Sequence, residues 1–503
     1  KAFEAAGNRL RYANQLHHVE PWQPRRIIFN AYRFSNRNTI TGDMMQLQVG
    51  QYNALLGMGY GELAGKSRSI HRSQGAGTPS VAGVQTEHFR LVSGDLMLSS
   101  LFDGIDTTWS RVEKPSIARL IDTILQGFSF LHPEHSLPQL LQLRREISTV
   151  QDTFWKKEKM AAIDRILLHA SGFMAECVTA EEQATPGSRL PFTLRLIART
   201  GNMPVQAVSI KWPDGDTTCR LTLLHDSLYA LTRNMTIPEA TSVTEPYWMS
   251  VPPKDDAHFP LPADTLLGLP VTPNQLNAVV TLSIGGETLR VPVPLSSKKL
   301  DPLKGDVVSQ LRIVPPVSIS LPGNLIITHP DGSLETTVRL RSFEAINGGT
   351  LTVSGNTQVI ATFKNIRMPA NTDTIIPLTV SSRQSAAING SEDYFYLGAT
   401  LAINQKNYNR TRHLIQYDHL PTLQYFTPAS AKVLRPNWKY TVKRIGYIEG
   451  AGDLIPDLLR QAGLRVDMLD EKDFADPGRL KQYDAIVTGV RALNTEKRMA
   501  WWM

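Results

Sequence analysis

Residues 278–293 read AVVTLSIGGETLRVPV, and the fold of most of the chain follows from how they are read. Two runs rich in Val, Ile, Thr and Leu, 278–284 and 289–293, flank Gly285-Gly286. Apolar and polar residues alternate within each run, the period of a strand with one face buried. Paired glycines between such runs signal a turn. The same texture extends outward over 171–435, in runs at 192–197, 325–328, 336–340, 350–353, 359–363 and 396–403. Pro213-Asp214-Gly215, Pro330-Asp331-Gly332 and Asn347-Gly348-Gly349 punctuate it. Short strands at regular spacing predict β-sandwiches. The stretch is too long for one small sandwich, so a division near 301–305 predicts one sandwich over 171–300 and another over 301–435.

Upstream, residues 1–170 carry helical periodicity, clearest at 117–126 and 137–169, with one strand-like run at 26–30 after Pro21-Trp22-Gln23-Pro24. Downstream, 440–503 change texture again. Residues 444–448 have a buried-strand pattern and lead into Glu449-Gly450-Ala451-Gly452. Asp453 is placed to cap a helix running to about Ala462, which Gly463 would end. Strands are expected at 464–469 and 484–488, and this order predicts a parallel α/β unit. Only about three strands fit before the chain stops at Trp501-Trp502-Met503, fewer than a doubly wound sheet needs. Lys1 already lies in a helix-like pattern (Ala2, Phe3, Ala5, Ala6, Leu10). The chain is therefore expected to be a segment of a longer protein.

Composition excludes several classes. Over 503 residues, 53 Lys and Arg against 46 Asp and Glu give a net charge of +7, with 42% hydrophobic and 20% charged residues. A disordered chain would be less hydrophobic and more strongly charged. The basic residues are scattered with no recognisable motif, so no nucleic-acid partner is expected. Cys177 and Cys219 are too few for a disulfide scaffold; they could pair or be ordinary half-buried thiols. No apolar run reaches the ~18 residues of a membrane span.

The densest chemistry lies in 49–77. From Tyr60 the period fits a helix with Glu62, Lys66, Ser69 and Arg72/Ser73 on one polar face and His71 on another, beside Ser67 and Gln74. Arg, His and Gln so displayed could donate to a sugar or an anion; the plainer reading is a solvated face with one packed histidine. His17-His18 and His132-Pro133-Glu134-His135 lack the i, i+4 pair with a carboxylate that a helical metal site uses. Asp103-Gly104-Ile105-Asp106 lacks the further ligands of a calcium loop and reads as a turn with an Asx cap. Gly450-Ala451-Gly452, without a third glycine, reads as a tight turn.

The 49–77 segment, followed by Leu101-Phe102-Asp103-Gly104-Ile105-Asp106-Thr107-Thr108-Trp109-Ser110-Arg111, resembles the large LmbE-like (PIG-L) deacetylases. In that family a segment like GxYNxLLGxxYGExAxxSRSxHxSQG follows the metal motifs, and an LFDGIDTTWSRV-like segment comes soon after. The resemblance covers about the first 170 residues. Large members also carry β-sandwich modules and then a domain similar to class I glutamine amidotransferases. Here Tyr447-Ile448-Glu449-Gly450-Ala451-Gly452-Asp453 and Asp484-Ala485-Ile486-Val487-Thr488-Gly489-Val490-Arg491 resemble that domain's opening strands.

The resemblance implies a partial Rossmann-like deacetylase domain over 1–170 and the start of a flavodoxin-like, amidotransferase-like domain over 440–503. It also implies a zinc-dependent hydrolase removing acetyl groups from N-acetylated sugars. The family's zinc ligands come from a His-Pro-Asp-Asp motif near the start and a later His-x-x-His motif. Neither is expected anywhere in this sequence, and His17-His18 has the wrong spacing to replace them, so no metal ligand or catalytic base carries over and no zinc is expected in this chain. Arg68, His71 and Gln74 match the family's SRSxHxSQ stretch and are the expected substrate-binding residues. Gln48 stands where many relatives carry Asp. The 440–503 stretch has no cysteine, so the nucleophile of amidotransferase chemistry is missing. The expected partner is a carbohydrate and the expected location extracytoplasmic. Two other readings stand beside the enzyme. In one, the sandwiches bind carbohydrate through Trp212, Tyr247, Trp248, Tyr394 or Tyr396. In the other, purely structural, the 440–503 α/β segment is a partner-docking domain.

Overall fold

The alternating runs of 171–435 do become strands. The computed structural model describes residues 1–74, 77–251, 260, 266–388, 393–436 and 438–495. Trp501-Trp502-Met503 and Gly75 of the first motif lie outside them. The chain is multi-domain and mostly β, 39% strand against 21% helix. It divides into one unit of residues 1–127 and 142–161 and another of 128–141 and 162–503.

In the second unit, one sheet runs Gly215–Leu223, Val205–Trp212, Asn277–Ile284, Glu287–Asp301, Met174–Thr179, Arg189–Ile197, Tyr229–Thr236. Val, Leu and Ile at every second position of Asn277–Ile284 make strict alternation of buried and half-buried residues, which is why it sits in the sheet interior. Gly285 (φ +54°) and Gly286 (φ +85°) close the hairpin, the left-handed pair that a two-residue connection needs. Glu287–Asp301 first pairs with Asn277–Ile284; further along it pairs with Met174–Thr179 in parallel and with Gly305–Gln310 antiparallel. Residues 301–305, where a division between sandwiches was expected, are therefore a hairpin of this first sheet. Strand pairing passes to the next sheets beyond Gln310.

Two further sheets follow. Val317–Ser320, Leu334–Ser342 and Asp373–Val380 form one; Leu325–Ile327, Ser430–Leu434, Tyr394–Ile403, Thr350–Gly355 and Gln358–Phe363 form the other. A single core takes Val338, Leu340 and Leu378 from the first and Leu351, Phe395, Leu397 and Val433 from the second, which makes this pair a β-sandwich. Each such side chain contributes about 1.5–3 kcal/mol on burial, so the alternating pattern itself holds the two layers together. Arg444–Ile448 then lies between Arg465–Met468 and Ala485–Thr488, all parallel. Gly463 (φ +89°) ends the intervening helix, as expected. Asp453 does not sit at the N-cap: the helix is Ile455–Gln461 with Leu454 there. The Asp453 carboxylate still accepts the Ile455 N–H at the helix start, and also accepts from Tyr447 Oη (2.5 Å) and the Val490 N–H (3.0 Å).

In the first unit the strand-like run is Arg26–Ala31, paired antiparallel with Thr86–Gly94, which also pairs with Met45–Gln48. These described strands form no parallel sheet. The first helix is only Ala2–Ala6, and Leu10 is exposed. Residues 115–170 give Pro115–Gly127, Leu137–Ser148 and Thr153–Ala170, the 137–169 stretch breaking at 149–152. None of the described helices is long and apolar enough to cross a membrane.

Cys177 and Cys219 are both free thiols. Cys177 is buried in its strand, and desolvation pushes its thiol up to about 12. Burial also raises the half-buried Cys219. Since the thiolate is the nucleophile, a disulfide reagent at pH 8 is expected to leave Cys177 unmodified in the native protein and to titrate both thiols in denaturant. Rapid native labelling of Cys177 refutes the burial.

Candidate functional site

The 49–77 segment is built around glycines that no other residue can replace. The helix Tyr60–Arg68 packs on the 79–85 stretch. A Cβ on Gly65 would stand 2.5 Å from the Pro79 carbonyl oxygen, and one on Gly61 would stand 2.6 Å from that of Val81. Glu62 is not a free polar group: it accepts the Gly59 N–H at the helix start (2.8 Å), while the Ser80 hydroxyl donates to the Glu62 carbonyl (2.8 Å).

The helix is shorter than its sequence period suggests. Ser69 Oγ donates to the Gly65 carbonyl (2.9 Å) and accepts the Thr78 N–H (3.2 Å). A serine hydroxyl competing for helix carbonyls favours termination. Arg68 is the last helical residue, and Arg72–Gln74 form a separate 3-10 turn. Arg72 and Ser73 therefore do not continue the face of Glu62 and Lys66, and His71 and Gln74 are not on the helix. Arg68, His71 and Gln74 are all exposed, and none makes a side-chain hydrogen bond to a described residue. Only backbone bonds join the three: the His71 N–H donates to the Arg68 carbonyl (3.1 Å) and the Gln74 N–H to the His71 carbonyl (3.2 Å).

The second motif is a self-supporting loop. Asp103 accepts the N–H groups of Leu98 (2.6 Å), Ser99 (2.7 Å) and Ser100 (3.2 Å) and the Ser99 hydroxyl (2.9 Å). These donors hold its carboxyl far below the usual carboxylate range. Asp106 accepts from the Thr108 N–H and hydroxyl (2.8 and 2.6 Å), and the Thr108 hydroxyl accepts the Ser110 N–H (3.2 Å). Both aspartates cap turns, as the sequence suggests. Beyond them lies a feature the sequence reading missed. Lys159 Nζ sits 5.9 Å from the Trp109 ring centroid and 5.3 Å from that of Trp155, and the Arg111 guanidinium lies 5.6 Å over Trp155. With Asp106 and Thr108 these groups wall a cavity of about 250 Å³. The available signal was Trp155 and Lys159, one helical turn apart.

Among the described residues, one group has donors close enough together for a metal: His132, Glu134 and His135, within 4.8 Å of one another. Its His-x-x-His spacing lies after the 49–77 segment rather than before it. The imidazoles stack at 5.0 Å and 18°, and Glu134 Oε1 lies 3.3 Å from His132 Nδ1 and 3.8 Å from His135 Nε2. The carboxylate oxygen thus lies beside both ring nitrogens, at separations that ligands sharing one ion can also have. The Glu134 backbone N–H, more than the histidines, lowers the Glu134 carboxyl.

Of the aromatic residues proposed for sugar stacking, Trp212 and Tyr247 are buried. Their rings are core, because they sit on inward positions. Tyr396 is exposed. It shares a cavity of about 360 Å³ with Asn324, His413, Tyr425, Thr427 and Lys432. His413 and Tyr425, a cross-strand pair, stack at 4.7 Å and 13°.

No family model and no curated protein matches the chain. Among solved structures, it is similar to the CARDB domain of a Pyrococcus furiosus protein in complex with di-metal ions (7% identity, 24% of this chain, 94% of that one, TM-score 0.16). It is also similar to Pseudomonas fluorescens alkylpurine DNA glycosylase bound to DNA with an abasic site analog (12%, 35%, 51%, TM-score 0.14). A third is Salmonella alpha-2-macroglobulin reacted with methylamine (12%, 54%, 16%, TM-score 0.17). At these scores the likenesses carry no argument about fold or function.

Asp103 provides a pH test of the second motif. Its folded-state carboxyl is depressed, so its stabilisation is complete above the ordinary Asp value of about 4 and fades as pH falls toward the lower folded value. Asp103→Asn is expected to speed proteolysis within 96–106 at neutral pH. The gap to the parent should narrow below about pH 4. Equal cleavage at pH 7 refutes the role.

Proposed function

We propose that residues 1–170 are the later part of a zinc-dependent deacetylase acting on N-acetylated sugars. Arg68, His71 and Gln74 then face the substrate, and the metal ligands come from outside this chain, which is inert alone. One observation carries this reading. Among the described residues of 1–127 the buried hydrophobics are only Ala31, Met44, Ile117 and Ile124, while Phe34, Tyr52, Leu55, Ile70 and Leu98 are exposed. Apolar exposure on this scale marks a surface made to be covered, as a fragment of a larger Rossmann-like layer would be. The unengaged Arg68, His71 and Gln74 side chains, on a turn anchored by Ser69, suit groups that await a ligand. On the same resemblance, the 440–495 strands, with the first between the second and third, have the order of a flavodoxin-like sheet. The reading carries the extracytoplasmic location with it.

The test is made in the full-length enzyme. His71→Ala is expected to lower acetate release from an N-acetylglucosaminide by roughly tenfold or more with an unchanged thermal midpoint. Full activity in a folded variant removes His71 from the pocket, and loss through unfolding assigns it a structural role.

A second reading rests on the Tyr396, His413 and Tyr425 cavity. Sugars lie on aromatic faces, and Asn324, Thr427 and Lys432 add polar partners, so the second sandwich is a carbohydrate-binding candidate. Tyr425→Ala in the whole chain is expected to abolish a saturable glycan-array signal. An array on which the parent shows no signal leaves the sandwich a spacer.

A further inference from the structure

The strand Arg410–Ile415 carries two arginines on one face, and the fold treats them differently. Arg410 makes a paired fork with the buried Glu245, Nη1 to Oε1 at 2.9 Å and Nη2 to Oε2 at 2.7 Å. Arg412 has no carboxylate. Its Nε donates to Gln424 Oε1 (2.9 Å), its Nη1 donates to Gln183 Oε1 (3.1 Å), and its guanidinium lies 5.0 Å over the Phe343 ring. Its Nη2 is buried and has no partner.

The surroundings of Arg412 are fixed rather than adaptable. Gln424 is buried, and its amide nitrogen is spent on the carbonyls of Thr244 (2.8 Å) and Ile313 (2.9 Å), so its oxygen is left to accept. Arg412 borders a cavity of about 600 Å³ whose wall also holds Arg312, Arg339 and Arg341 with two carboxylates, Glu182 and Asp373. Each carboxylate is already shared. Asp373 accepts from Arg339 (3.1 Å) and Arg341 (2.5 Å). Glu182 pairs with Arg312 (2.9 Å) and Lys299 (2.8 Å). Arg312 is also nine-tenths buried, and its Nε has no partner. The wall therefore keeps a positive excess, and two buried guanidinium nitrogens, Arg412 Nη2 and Arg312 Nε, have no partner. Burial first, and then Arg312 and Arg341, lower Arg412 to about 10.

We propose that this cavity binds a tetrahedral oxyanion, the phosphate or sulfate group of a small polar ligand, seated against Arg412 and Arg312. Guanidinium forks match tetrahedral oxyanions, and an anion removes the cost of burying a charge without a counter-charge. The Ser318, Ser320 and Thr422 side chains on the same wall suit the neutral remainder of such a ligand. The volume is that of a small-molecule site. The site shares no residue with Arg68, His71 and Gln74 and does not depend on what they do.

The test is calorimetric titration of the whole chain with inorganic phosphate and, separately, with sulfate at low ionic strength, against sodium chloride at matched ionic strength. Saturable binding of one anion per chain is expected, weakened about tenfold or more by Arg412→Gln. Asp373→Asn, which frees Arg339 and Arg341, should tighten it several-fold. These opposite signs keep the proposal testable if Arg412→Gln fails to fold. A preference between the two anions names the group. Binding no stronger than that of chloride, or unchanged in a folded Arg412→Gln and in Asp373→Asn, overturns the proposal.

Discussion

The second unit hangs on one long strand. Glu287–Asp301 cannot serve a single pair of neighbours along its whole length. Its first half is the antiparallel partner of Asn277–Ile284, and its later residues join Met174–Thr179 and Gly305–Gln310. Without it the strands on either side would be two unconnected half-sheets. Buried Leu289, Val293, Leu295 and Ser297 keep the same inward alternation through both halves. A one-residue slip anywhere along the strand would turn that whole set outward. The twin left-handed glycines at 285 and 286 therefore set register at one end of a strand whose consequences are felt at the other.

Residues 1–127 are held in a different way. With few buried hydrophobics, their order comes from backbone groups satisfied one by one. Asp103 gathers three N–H groups, the Arg26 guanidinium reaches the carbonyls of Leu101 and Asp103, and Gly61 and Gly65 let a helix lie directly on a loop backbone. Such bonds contribute about 1 kcal/mol each, and each secures one loop. They fix loops well and join layers poorly. The loops of this region are tied down while Phe34, Tyr52, Leu55, Ile70 and Leu98 stay exposed.

The same contrast explains what could be read from sequence. Period-two runs such as 278–284 and 350–353 were legible because burial alone selects them. Gly215–Leu223 alternates inward and outward but fully buries only Leu223, and Tyr229–Thr236 fully buries only Met235; with so little apolar contrast these strands were not foreseen. The hairpin at 301–305 looked like a boundary because polar residues crowd there, as they do at any exposed turn. The helix after Tyr60 was legible in its glycines and Glu62, but its end was not, since that depends on Ser69 meeting Thr78 across a loop. Arg68, His71 and Gln74 were found by resemblance; their exposure could not have been. Trp212 was misplaced among sugar-binding candidates because an aromatic side chain fits a core as readily as a surface.

The Arg410 and Arg412 contrast was also beyond sequence, since Glu245, Gln183 and Gln424 reach that strand from distant segments. Two arginines two residues apart have different partners, a carboxylate for Arg410 and two amides for Arg412. A carboxylate in place of either amide would have neutralised Arg412 as Glu245 neutralises Arg410. Amides orient a guanidinium without cancelling its charge. The cation–π contact with Phe343 offsets about 0.5–2 kcal/mol of desolvation, well short of the several kcal/mol that burying an ion costs. Orientation with charge retained is what a site for an incoming anion requires. A purely structural arginine would be better served by the solution the fold already uses two residues away.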